Sequence, residues 1–147
     1  MTDDRPATAR RLDLAAHPEG GWFRRTWTGR TPVDTDGGAR PAATLIHYLL
    51  TPGEHSAWHV VSSDEVWLWH GPGALELSLG GTGERPVAPP AVARTVLLGP
   101  DPAAGHVAQC VVHAGTWQSA RLAGHDEVLA SCLVSPGFDF ADWRLAD

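Results

Sequence analysis

The densest group of side chains able to do chemistry lies between Gly53 and Gly71, in GEHSAWHVVSSDEVWLWHG. His59 stands near the end of one apolar run and Glu65 opens the next, with Ser62-Ser63-Asp64 as a polar turn between them. Two strands joined in this way set such positions side by side across a sheet. If both point to one interior, an imidazole meets a carboxylate. That pair suits a divalent metal such as Zn or Fe, or a general base held by its orienting carboxylate. The spacing alone is equally compatible with a hydrogen-bonded histidine in a polar turn. With Glu65 inward, two-residue alternation turns Trp67 and Trp69 to the same side and Val66, Leu68 and His70 to the other.

Further residues qualify by type. Gln118 shares a strand face with Ala120 and Leu122; an amide on an apolar face needs a partner, which a ligand, a metal or the backbone can supply. Tyr48 is the only tyrosine and can donate a proton inward if its face is the inner one, in which case His47 faces out. His55 lies close to the His59 segment and is a candidate replacement ligand. His17 and Glu19 precede Gly20-Gly21, where missing side chains allow close backbone approach. This segment is read either as covering the mouth of the site, with Glu19 contacting substrate, or as a conformational turn. Seven tryptophans exceed what a small core needs, so Trp67 and Trp69 are expected as pocket walls.

The elements that must position these residues are strands. Residues 44–50, 56–61, 65–70, 74–79, 92–98, 107–112, 117–122 and 127–135 are short apolar runs punctuated by Gly/Pro clusters, the pattern of an all-β sandwich or barrel. Only Thr8–Ala16 reads as helix, with Thr8 as cap and Pro18 as stop. Residues 29–42 and 80–90 read as loops. The 147 residues fit one domain, 1–147, with its core at about 12–145. All 11 basic residues are arginine, so no lysine of this chain can form a Schiff base. A net charge of −6 without a basic stripe argues against nucleic acid as a partner. No apolar run reaches membrane-spanning length, and the polar start lacks a secretory apolar region. Cys110 and Cys132 match no metal spacing and read as buried free thiols, in keeping with a reducing cytoplasm.

Several of these residues carry a resemblance to the cupin superfamily. Gly53-(x5)-His59-x-Val61-(x3)-Glu65 is similar to the first cupin motif, and Gly105-(x7)-His113-Ala114-Gly115-(x2)-Gln118 loosely follows the second. His17-Pro18-Glu19-Gly20-Gly21-Trp22-Phe23-Arg24 and Pro136-Gly137-Phe138-Asp139-Phe140 resemble the opening and closing segments of one single-domain cupin subfamily. The resemblance implies a cupin barrel, a double-stranded β-helix of jelly-roll type, with a short N-terminal helix. It also implies a metal set of three His and one Glu. Of that set His59 and Glu65 remain, while Val61 and Gln118 occupy the other two places.

The resulting expectation is a small-molecule enzyme, an isomerase or epimerase, or a lyase, acting on a small polar carbon acid such as a modified sugar. His59 is the base, Glu65 its orienter or a metal ligand, and Tyr48 the acid; Trp67, Trp69, Gln118 and Glu19 contact substrate. A divalent ion (Zn, Mn, Ni or Fe), if bound, is expected weakly on His59 and Glu65 with Gln118 or His55. The alternative is a non-catalytic module binding a metabolite or metal. A homodimer is expected, because strand-like residues before Thr44 need a sheet edge to pair with.

Overall fold

The computed structural model describes residues 2–87 and 94–147. Helix α1 (Ala7–Leu12) precedes β1 (Ala15–Ala16), β2 (Trp22–Thr28), β3 (Pro32–Thr35), β4 (Gly38–Pro41), β5 (Thr44–Leu50), β6 (His55–Val61), β7 (Asp64–Pro72), β8 (Leu75–Leu79), β9 (Arg94–Leu98), β10 (Gln109–Val112), β11 (Gln118–Leu122), β12 (Val128–Ser135) and β13 (Trp143–Leu145). Six strands form one sheet in the order β1-β2-β5-β12-β7-β10, five form the other in the order β13-β6-β11-β8-β9, and β3–β4 is a separate hairpin. The paired strands are antiparallel, as alternating apolar-in, polar-out sequences favour. This is the expected all-β cupin barrel with a short helix.

The expected apolar runs became strands with ends moved by a residue or two; residues 92 and 93 lie outside the described residues. The helix is shorter than expected because Asp13, not Pro18, ends it. Asp13 adopts the left-handed conformation (φ 55°), and its N–H closes the last turn on the Ala9 and Arg10 carbonyls. Ala9, Leu14 and Leu49 then form a small cluster beneath the helix. Part of 29–42, expected as loop, forms the β3–β4 hairpin, with Thr35 paired to Gly38. The strand-like residues before Thr44 find their partner within the chain: β2 pairs along β5 from Trp22↔Leu49 to Thr28↔Thr44. The argument for a dimer from an unpaired early strand therefore falls.

Successive strands β6 and β7 lie in different sheets. His59 and Glu65 are thus not neighbours across a ladder, as the hairpin reading had them; they face each other across the barrel interior. Below them the interior is packed by Leu50, Leu75, Leu77, Leu98, Val112, Val128 and Cys132, with Trp67 among them. Both cysteines are buried free thiols. Among the described residues no helix is long and apolar enough to cross a membrane.

Candidate functional site

A bulge in β6 builds the site. Gln118 of β11 pairs with His59, but Ala120 pairs with Ser56, so β6 carries one extra residue between the two pairings. An extra residue shifts which side chains face inward. Ser56, His59 and Val61 are all buried, while His55 is exposed on the outer side. The expectation of His55 as a ligand fails for this reason: the bulge turns it onto an outer groove with Trp58, Glu76 and Arg121.

His59 is 2% exposed. Its Nδ1 lies 2.8 Å from the Ala57 carbonyl. A carbonyl only accepts, so Nδ1 carries the proton and Nε2 presents a lone pair. The carboxylate atom nearest that lone pair is Glu19 Oε2, at 3.4 Å. Burial holds the His59 pKa below its usual value, although Glu65 and the Ala57 contact act the other way. The imidazole is therefore neutral near pH 7.

Glu19 reaches the interior because two glycines let its turn dock tightly. The Glu19 carbonyl accepts from Ala57 N–H at 2.7 Å, and a Cβ at Gly20 would collide with the His55 carbonyl. At Gly21 (φ +74°) a Cβ would lie 2.7 Å from the Tyr48 hydroxyl oxygen. The Ser56 hydroxyl donates to Glu19 Oε2. Burial nevertheless raises the Glu19 pKa to about 7, against the Ser56 bond and the nearby Trp143 indole, which favour the anion. That indole Nε1 is buried and, among the described residues, has no hydrogen-bond partner within reach. His17 Nδ1 accepts the Glu19 backbone N–H at 3.1 Å, and burial followed by the field of His59 lowers the His17 pKa to about 4.

Glu65 is likewise raised to about 7, first by burial and further by Glu19, against the opposing pull of His59 and Gln118. Gln118 joins it to the packed core. Trp67 Nε1–H donates to Gln118 Oε1 at 2.9 Å, and Gln118 Nε2 donates to Glu65 Oε1 at 2.6 Å. An indole N–H cannot accept, so the amide orientation is fixed: nitrogen toward Glu65, oxygen away. The expectation of Gln118 as a metal-ligating oxygen is corrected accordingly.

His17, Glu19, His59 and Glu65 line one end of a cavity of about 200 Å³. Its remaining wall is mainly apolar, formed by Phe23, Ile46, Val61, Val134, Phe138, Phe140 and Trp143, with Arg25 also lining it. Trp67 and Trp69, expected as walls, are not on it: Trp67 sits behind Gln118, and Trp69 Nε1 donates to the Gly73 carbonyl at 2.7 Å. Tyr48, expected as the acid, is not on it either. Its hydroxyl donates to the Gly20 carbonyl at 2.5 Å, and burial keeps its pKa well above the usual value. Sequence reasoning missed Arg25 and the aromatic wall. The Pro136–Phe140 motif was visible, but only the fold shows its phenylalanines closing the cavity.

A barrel of two facing antiparallel sheets, with an imidazole and carboxyls converging inside, defines a cupin-type site. A family model described as Cupin_5, Cupin superfamily (DUF985), matches residues 7–146, and the chain belongs to that family. It is similar to a hypothetical protein from Leishmania major, at 32% identity and TM-score 0.82 over 95% of this chain and 86% of the other. It is also similar to a protein from Shewanella oneidensis, at 30% identity and TM-score 0.82 over 98% and 85%. The oxalate decarboxylase of Lactobacillus farciminis, solved as a formate complex, shares the fold at 14% identity and TM-score 0.58 over 92% of this chain and 34% of the other. No curated protein matches the sequence.

Cupins often hold a divalent metal, and the residues here do not fit one of that kind. Val61 offers no donor atom and Gln118 presents an N–H. Among the described residues no group of three or more His, Cys, Asp or Glu side chains is placed so that it could hold a metal ion.

Proposed function

We propose that the protein is a small-molecule enzyme that moves protons at carbon, an isomerase or epimerase, or a lyase, acting on a small polar carbon acid such as a modified sugar. The supporting observation is the free Nε2 lone pair of His59, buried beside Glu19 and Glu65, two carboxyls whose pKa values lie at about 7. Carboxylic acids of such strength are matched to proton transfer near neutral pH. In the step, the C–H bond beside a carbonyl breaks and the proton passes to His59 Nε2. The electron pair moves onto the carbonyl oxygen, which receives a hydrogen bond from whichever of Glu65 or Glu19 is protonated. Delivery of a proton to the other face by a protonated carboxyl, with His59 keeping the one it took, gives an epimer. Return of the proton to the former carbonyl carbon, with a carboxyl protonating the enolate oxygen and taking the proton of the adjacent hydroxyl, gives an isomer. Loss of a β-substituent, protonated by a carboxyl as it leaves, makes the reaction a lyase.

The test is incubation in D₂O with small aldoses, ketoses and 2-oxo acids, followed by proton NMR. Exchange at the carbon beside the carbonyl, lost in His59→Asn, is expected. A binding module, the reading favoured by the missing cupin metal ligands, exchanges nothing.

A further inference from the structure

We infer that the cavity contains a carboxylate subsite built on Arg25, and that the substrate is a short organic acid whose carboxylate sits there while its reacting carbon reaches His59. The inference rests on the proton-transfer reading only for the position of the reacting carbon.

Arg25 follows Phe23 by two residues on β2, so both face the cavity, and Arg25 stands opposite Ile46 of β5. The ladder breaks directly after it: Trp27, not Thr26, pairs with Leu45. The bulge sends Trp27 outward, where it is half exposed, while Arg25, itself exposed, stands at the open rim of the cavity. One guanidinium N–H is fixed on the Phe138 carbonyl at 2.8 Å, which holds the group against the aromatic wall. Among the described residues its other donors are unengaged and it has no carboxylate partner, unlike Arg5, Arg40 and Arg121. Among the described residues Arg25 is also the only arginine lining the cavity.

The groups at the far end are acids and neutral imidazoles, and the chain carries a net charge of −6. An anion therefore gains nothing from the surroundings except at Arg25, whose planar fork suits a carboxylate. Size narrows the class further. A cavity of about 150 Å³ admits benzene, so about 200 Å³ encloses a molecule only slightly larger. A 2-oxo acid of four or five carbons spans this space with its carbonyl and C–H directed at His59.

The probes are 2-oxobutyrate, its neutral counterpart 2-oxobutanamide, and inorganic phosphate, measured by calorimetry and by exchange at C3 in D₂O. Wild type is expected to bind the acid in preference to the amide and to phosphate. Arg25→Gln should weaken acid binding by about tenfold or more, with Arg25→Lys intermediate and amide binding unchanged. Equal binding of acid by wild type and Arg25→Gln overturns the subsite, as does preference for phosphate. So does failure of wild type to bind 2-oxobutyrate and its three- to six-carbon homologues. Arg25-dependent binding without C3 exchange leaves the subsite standing and refutes proton transfer instead. C3 exchange of the acid that is equal in wild type and Arg25→Gln does the reverse.

Discussion

Replacing Glu65 with glutamine should stabilise the protein at alkaline pH while removing an acid from the site. The Glu65 pKa rises from 4.5 to about 7 on folding, chiefly through burial. A group whose folded pKa is raised contributes its full stability below the unfolded value and loses it as pH rises through the folded one. Each pH unit in that window is worth about 1.4 kcal/mol, so ionising Glu65 costs the fold up to about 3 kcal/mol by pH 8. In Glu65→Gln the amide oxygen still accepts from Gln118 Nε2, and no charge is buried. The histidines act in the opposite sense. The depressed folded values of His17, about 4, and of His59 make stability rise with pH until both are neutral in both states. The wild-type profile is flattened by this cancellation, so the difference between the two proteins is the useful quantity. Urea denaturation from pH 4.5 to 8.5 should show the stability of Glu65→Gln minus that of wild type climbing through the window and levelling above about pH 7. Parallel profiles would refute the claim that Glu65 keeps its proton near neutrality.

Tyr48→Phe removes the bond to the Gly20 carbonyl and should cost about 1–3 kcal/mol in denaturation, with deuterium exchange retained because Tyr48 does not line the cavity. Gly21→Ala must place a Cβ against the Tyr48 hydroxyl at φ +74°; a melting temperature lowered by several degrees is expected, since roughly 1 kcal/mol or more is lost where φ is positive. Calorimetric titration with Zn, Mn, Ni and Fe(II) should give wild type and Glu65→Gln the same heats, whereas binding that depends on Glu65 would restore a metal to the site.

The sheet framework was legible because period-2 apolar runs between Gly/Pro clusters are local signals, and 44–50 became β5 without adjustment. The convergence of His59, Glu65 and Gln118 was legible as well, from motif spacing and alternation. What escaped were features with no local signal. The β6 bulge depends on pairing with β11 and decides that Ser56 faces in and His55 out. Glu19 reads as a residue of a mouth turn, yet it is the carboxylate nearest His59. Trp67 was placed on the correct face, but alternation cannot say how deep along the barrel it lies, and its N–H is taken by Gln118. The aromatic wall comes from a segment more than seventy residues beyond His59 in sequence, folded over the cavity and tied to the β3–β4 hairpin by the Arg40–Asp142 pair at 2.8 Å.

The charge state of the buried trio is the centre of the account, and NMR of protein labelled with ¹⁵N at histidine and ¹³C at the glutamate carboxyls reads it directly. His59 is predicted to be a neutral imidazole protonated on Nδ1 at pH 7, with its titration displaced below the usual histidine range, while the Glu19 and Glu65 carboxyl carbons titrate at about 7. An imidazolium at His59 at pH 7, with both carboxyls already ionised and titrating near 4.5, would contradict it.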